Sequence, residues 1–287
     1  MSHSKSLYVV GIGVSAGGLR ALEEFFGNLS PDSGAAFVVI QHLSPDFKSV
    51  MGESLGRHTA MPIYLAEEGM VLEPNAIYLI PPGQNLWVQN GCLRLLEQDR
   101  QVGNQQPNFP IDIFLSSLAK AYGAQAIGII LSGTGSDGSH GIQDIHEQGG
   151  IVMVQDPATA EFDGMPQSAI QTRIVDRVLP PQDLAAIVYD FVISPATDLS
   201  KVEDAEDFSD QNTLDTAFYI QRIARILAEG SRVDFSHYAP KTLTRRIQRR
   251  LVLAGYTQIE PYIQILKQSA EEREALRSED RKSTRLN

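Results

Sequence analysis

At 287 residues, 43% hydrophobic and 21% charged, the chain has the composition of a soluble globular protein of about two domains, which excludes global disorder. The single cysteine, Cys92, excludes an internal disulfide and a cysteine-rich zinc site, and no apolar run reaches the roughly 18 residues of a membrane span. The net charge of −11 falls entirely on residues 1–193, with 9 Lys+Arg against 20 Asp+Glu, a balance unsuited to wrapping nucleic acid. The N-terminus lacks a signal-peptide core, so the cytoplasm is the expected compartment.

In chain order, Leu7–Gly13 is a nearly all-apolar run that reads as a strand buried on both faces, and Gly17–Leu29 places apolar residues at helical spacing. Ala35–Gln41 repeats the buried-strand pattern, followed by a helix near 47–57 and a strand near 62–66. Three short runs, Ala76–Pro81, Leu86–Gln89 and Cys92–Leu96, are joined by Pro-Gly and Asn-Gly turns and predict an antiparallel insertion, with Asn90-Gly91 signalling a type I′ hairpin. The strand–helix alternation then resumes: helix Ile111–Tyr122, strand Ala126–Leu131, helix Gly138–Gln148, strand Ile151–Gln155, and helices near Met165–Gln171 and Pro181–Val192. Such alternation predicts an α/β fold, a doubly wound and mostly parallel sheet over residues 1–193. An acidic linker, 194–212, leads to a small all-α domain, 213–276, with helices at Thr213–Ala228, Pro240–Ala254 and Glu260–Leu276; 277–287 is a tail apart.

Doubly wound sheets hold their sites at the carboxyl ends of the strands, and three loops there stand out. The first, Gly11-Ile-Gly-Val-Ser-Ala-Gly-Gly18, admits two functional readings. It approaches a dinucleotide fingerprint, but the second strand ends in Gln41-His42 rather than an acid for a ribose. Alternatively, Ser15 is a nucleophile at a helix N-terminus, where amides can hold an oxyanion. From this loop alone, a helix-capping serine is the more ordinary outcome. The second loop carries His42 and the third, Ser132-Gly-Thr-Gly-Ser-Asp-Gly138, carries Asp137, which by itself reads as a cap for the following helix. Taken jointly, Ser15, His42 and Asp137 fall on post-strand loops at one sheet edge, as a Ser-His-Asp triad requires. Asp112 at a helix start and Asp156 after a strand are site-edge candidates. His58, His140, His146 and His237 are scattered and read as non-ligands, Cys92 reads as a packing residue, and no metal or cofactor is expected.

Residues 7–193 resemble the catalytic domain of the chemotaxis protein-glutamate methylesterases (CheB). The resemblance lies in Gly-x-Ser-x-Gly-Gly at 13–18, Gln41-His42, Ile77–Gly83, Pro110–Phe114, the Gly-Thr-Gly-Ser-Asp-Gly loop, Gln155-Asp156 and Gly164-Met165-Pro166. It implies Ser15 as nucleophile, His42 as general base, Asp137 as its orienting partner, and the backbone amides of Ala16 and Thr134 as oxyanion donors. Gly17, Gly18 and Met165 join the site edge. The implied substrate is a glutamyl methyl ester on a methylated receptor helix, with glutamine deamidation as a second activity and at most peripheral membrane contact through receptors. The sequence departs from the family at Thr134, often Met, and at Asn85, often His. It also has no receiver domain before residue 7, so control by phosphorylation in cis is not expected. A non-enzymatic signalling module binding a nucleotide or a protein through the glycine loop is the competing class.

Residues 233–250 are similar to the N-terminal helical domain of the chemotaxis receptor methyltransferases (CheR). Arg245, Arg246, Arg249 and Arg250 form two pairs at i,i+4 spacing, and the resemblance favours a surface for acidic partner helices over a merely solvated face. The S-adenosylmethionine-binding domain of that family does not follow, so the reading is of a methylesterase–methyltransferase fusion cut short.

Overall fold

The chain divides into two compact units, Met1–Ile193 and Ser194–Asn287. A computed structural model describes residues 7–41, 51–98 and 108–193 of the first, and residues 219, 222, 223, 226, 227, 247, 250, 251 and 259–281 of the second.

Six consecutive buried residues, Val9–Val14, make β1, the middle strand of a seven-stranded parallel sheet. In chain order its partners are β2 (Ala36–Gln41), β3 (Ile63–Leu65), β4 (Ala76–Leu79), β7 (Ala126–Ile130), β8 (Ile151–Gln155) and β9 (Arg177–Leu179). The spatial order is β3-β4-β2-β1-β7-β8-β9. The chain thus lays β2 beside β1, places β3 at the far edge with β4 between them, then crosses to β7 and builds outward on the other side. That reversal puts the switch point, where such sheets hold ligands, at the carboxyl ends of β1 and β7.

Helices cover both faces, as continuous apolar strands require. On one side lie α1 (Gly18–Gly27) and α6 (Pro181–Ile193); Phe25 and Phe26 of α1 meet Phe37 of β2 edge-to-face, with ring centroids 6.4 and 5.6 Å apart. The core of the other side gathers Ile111, Phe114, Leu115 and Leu118 of α3 (Pro110–Tyr122), Ile142 and Ile145 of α4 (Gly141–Glu147), and Met165 and Ala169 of α5 (Gly164–Gln171). Of the helix expected near 47–57, the described residues show α2 (Met51–Leu55) followed by a turn at 56–58.

Gly11 and Gly13 lie inside β1 rather than in the turn after it. A Cβ on Gly11 would come within 2.7 Å of Leu115 Cδ2, and one on Gly13 within 2.5 Å of Ile111 Cγ2. These glycines let α3 lie directly on the strand backbone; they do not form a phosphate-cradling loop.

Three expectations are corrected. The run at Ala76–Pro81 is not part of the antiparallel insertion: β4 is fully buried and pairs in parallel with β2 and β3. The insertion is only β5 (Gln84–Gln89) with β6 (Cys92–Glu97), whose turn has positive φ at Asn90 (52°) and Gly91 (75°), as a type I′ turn needs. The edge strand β9 was not anticipated, because three residues with an arginine among them show no period. The helix expected from Gly138 begins at Gly141, since residues 137–140 form a turn.

In the second unit, the helix expected over Glu260–Leu276 is two helices, α7 (Ile259–Gln268) and α8 (Ala270–Arg281). The break is chemical: Ser269 Oγ accepts the N–H of Glu272 at 3.1 Å, a Ser-x-x-Glu cap that starts a new helix. Most of the two helices expected upstream lies outside the described residues. Ile223, Leu227, Ile247, Leu251, Tyr262, Ile263 and Leu266 form this unit's apolar core. At its margin the Arg250 guanidinium grips the Glu272 carboxylate (2.7–3.0 Å), which also accepts the Tyr262 hydroxyl at 2.9 Å. Arg250 is thus paired within its own unit, and Arg245, Arg246 and Arg249, expected beside it on a partner surface, lie outside the described residues.

Two outcomes follow. Gly13→Ala should destabilise the first unit by about 1–3 kcal/mol in denaturant unfolding, because the new methyl overlaps Ile111. Burial, then the charge of Glu272 and the bond donated to it, push the Tyr262 pKa well above its usual 10.0. Stability from that bond is intact below the unfolded value near 10 and declines as pH rises past it. Helicity should therefore fall above about pH 10, and less steeply in Tyr262→Phe, as circular dichroism would read.

Candidate active site

The last register pair between the two central strands is Val14 opposite Gln41, so Ser15 and His42 are the residues that follow on adjacent strands. His42 lies outside the described residues. Ser15 is half-buried, at the head of the tight turn into α1. Its carbonyl accepts the N–H of Gly18 at 3.0 Å, and the turn needs Gly17 in the left-handed region (φ 69°). Gly18 is packing-limited, since a Cβ there would lie 2.6 Å from Val14 Cβ.

The loop after β7 is stitched to this turn. Ser15 donates its N–H to the Ser132 carbonyl at 3.0 Å, and Ser132 Oγ lies 2.9 Å from the Ala16 carbonyl. Ser132 Oγ also accepts the Phe162 N–H at 3.0 Å, while Ser132 N–H donates to Gln155 Oε1 at 2.8 Å. One fully buried serine thereby ties together the ends of β1, β7 and β8. Gly133 sits against Ser15: a Cβ on it would be 2.9 Å from Ser15 Cβ and 2.2 Å from Met165 Sδ. Met165, fully buried, thus backs the loop on which Ser15 rests.

Asp137 is buried, 3% exposed, yet its carboxylate is well hydrogen-bonded. Oδ2 accepts the N–H of Ile111 at 3.0 Å and Oδ1 that of Asp112 at 2.9 Å. It caps a helix, but α3, not the helix that follows it in sequence. Asp112 answers in kind: its Oδ1 accepts the N–H groups of His140 (2.9 Å) and Gly141 (2.7 Å) at the start of α4. Each aspartate caps the other's helix.

Ala16 and Thr134, on the two facing loops, share a further property. Among the described residues, their backbone N–H groups donate to nothing, as is true of their neighbours Gly17 and Gly135, whereas those of Ser15, Gly18 and Gly133 are all paired. Unpaired amides near a serine are the kind of donor that an oxyanion needs.

The remaining candidates separate. Asp112 caps the start of α4 through its Oδ1. Asp156 caps the short turn Pro157–Thr159, its Oδ1 accepting from Ala158 N–H at 3.0 Å. Asn85 Oδ1 accepts from Asn108 Nδ2 at 2.9 Å, just ahead of α3. His140 ends the turn before α4 and is exposed. Sequence reasoning missed Ser132, Gln155 and Phe162, which position the loops; a fully buried serine and glutamine at strand ends carry no periodic signal. No group of three or more metal-ligating side chains occurs among the described residues, and no described helix is long and apolar enough to cross a membrane.

A doubly wound α/β domain with a serine-bearing turn at its switch point, faced by a loop with a buried aspartate, is the class that fold and site define. Within that class, the chain belongs to the CheB methylesterase family, whose model matches residues 10–188. The all-alpha domain of the CheR methyltransferases matches residues 219–279. A solved structure of similar form is the Thermotoga maritima CheB methylesterase catalytic domain, at TM-score 0.59 and 31% identity, covering 66% of this chain and 100% of that one. An uncharacterised 104.1 kDa protein of Rhodobacter capsulatus is 34% identical over 80% of this chain and 25% of its own. A protein-glutamate methylesterase/protein-glutamine glutaminase of Hahella chejuensis is 33% identical over 63% of this chain and 51% of its own length. A putative protein of the same name from Leptospira interrogans is 32% identical over 61% of this chain and 90% of its own. The chain thus spans a quarter of the Rhodobacter protein and about half of the Hahella one.

Removing one half of the reciprocal cap tests its structural share. Asp112→Ala should cost about 1–2 kcal/mol in denaturant unfolding, with the amides of residues 140 and 141 losing hydrogen-exchange protection.

Proposed function

We propose that residues 1–193 hydrolyse glutamyl methyl esters on methylated chemoreceptor helices, releasing methanol, and deamidate glutamine at the same site. The observation that carries this is the meeting of Ser15 and the Asp137 loop at the switch point, with the unpartnered N–H groups of Ala16 and Thr134 beside the serine. The curated relatives named as protein-glutamate methylesterases and glutaminases support the choice of substrate.

In this reading His42 takes the Ser15 hydroxyl proton as Oγ attacks the γ-carbonyl carbon. The Ala16 and Thr134 amides hold the oxyanion, and the proton passes from His42 to the departing methanol, or to ammonia from a glutamine. Water, deprotonated by His42, then attacks the acyl-enzyme and restores Ser15. Asp137, fixed by two N–H bonds, retains acceptor capacity to orient the histidine. Each oxyanion donor contributes on the order of a hundredfold in rate. The competing reading, a nucleotide bound by the glycine loop, loses its footing because Gly11 and Gly13 are strand residues packed under α3.

Methanol release from methyl-labelled receptor membranes is the direct assay. Ser15→Ala and His42→Ala should each lower it by roughly a thousandfold or more, and Asp137→Asn should leave a measurable residue. Undiminished release by Ser15→Ala would sink the proposal.

A further inference from the structure

We infer that Glu161 sets the charge selectivity of the Ser15 site, favouring uncharged ester or amide groups and disfavouring a carboxylate. This rests on the hydrolase reading above. Glu161 lies between the Pro157–Thr159 turn and α5, and its neighbour Phe162 fixes its place. Phe162 donates its N–H to Ser132 Oγ at 3.0 Å and accepts the Gly133 N–H at 2.9 Å. Glu161 is thereby held against the serine-bearing turn. A Cβ on Gly17 would sit 2.7 Å from Glu161 Cβ and 3.1 Å from its Oε2. Gly17 directly follows Ala16, whose N–H is one of the proposed oxyanion donors. Glu161 is exposed and, among the described residues, has no hydrogen-bond or ion-pair partner to offset its charge.

The reaction gives this placement a use. Ester or amide hydrolysis turns a neutral group into an anion inside a site built to hold negative charge on oxygen. Two amides that stabilise an oxyanion also attract the product carboxylate, which would linger and block the next substrate. A carboxylate whose backbone is held beside Gly17, one residue from the Ala16 donor, opposes that retention. The same repulsion acts on the transient oxyanion, so Glu161 trades some rate in the chemical step for faster product release, and screening by water keeps both effects to a few-fold.

The test uses the full chain and two alkyl fluorophosphonates of equal length, one ending in a carboxamide and one in a carboxylate. Both phosphonylate a reactive serine and develop the same charge at phosphorus, so the ratio of their labelling rates at Ser15 isolates the effect of the tail. The parent should prefer the carboxamide by roughly three- to tenfold at low salt. Glu161→Gln should erase most of that preference and Glu161→Lys should reverse it. The contrast should shrink as salt is raised, which a merely structural role of Glu161 would not produce. An identical ratio in the parent and Glu161→Gln would overturn this inference alone. Absence of any Ser15 adduct would overturn the hydrolase reading, and this inference with it.

Discussion

The exchange of caps between Asp112 and Asp137 is the constraint on which the site depends. A helix start leaves N–H groups that must find acceptors, and here two adjacent helices satisfy each other's. The exchange requires α3 and α4 to begin side by side, which the sheet arranges by laying them over neighbouring strands. Gly11 and Gly13 admit α3 onto β1, while Gly128 faces Ile142 and Ile145 of α4 across β7. At the helix contact itself, a Cβ on Gly141 would be 2.6 Å from Leu115 Cβ. Small residues thus set the depth of the helices, and the paired caps set their register. Asp137 arrives at the switch point held at both oxygens before any histidine is considered.

Capping and catalysis are therefore not rival readings of Asp137. A carboxylate buried without partners would favour its neutral form and be useless as an orienting anion. Bonds from Ile111 and Asp112 make the charged form tolerable at 3% exposure. The structural role supplies the electrostatic condition for the proposed chemical one. Ser132 plays the corresponding part on the serine side, holding the Ser15 turn while leaving the Ala16 N–H unengaged.

Much of the fold was legible because its signals are periodic or steric. The buried strands at Val9–Val14, Ala36–Gln41, Ala126–Ile130 and Ile151–Gln155 read directly as apolar runs, and Asn90-Gly91 marked its hairpin turn. Ser15 and Asp137 were legible as residues after strands, and their loops are in contact through Ser132 and Gly133. What failed to show was long-range. β4 has the same four-residue apolar look whether it pairs in a hairpin or between β2 and β3, so only the assembled sheet decides. Asp112 looked like a site residue because an acid in a first turn is common to both roles. Its true partners, His140 and Gly141, are 28 and 29 residues away.

The second unit shows the same economy of carboxylates. The Ser269 cap begins α8, and the Glu272 side chain of that first turn reaches Arg250 and Tyr262. One glutamate thus joins the helix start, the apolar core and a segment 22 residues upstream. Such a tie matters more in a small unit than in a large domain, because a small unit buries less surface for each residue ordered. Each unit has an apolar core of its own among the described residues. The Rhodobacter likeness takes in parts of both: it runs over 80% of this chain, past the end of a first unit that ends at Ile193. In this chain a match to the CheB methylesterase model is followed by a match to the CheR all-alpha domain.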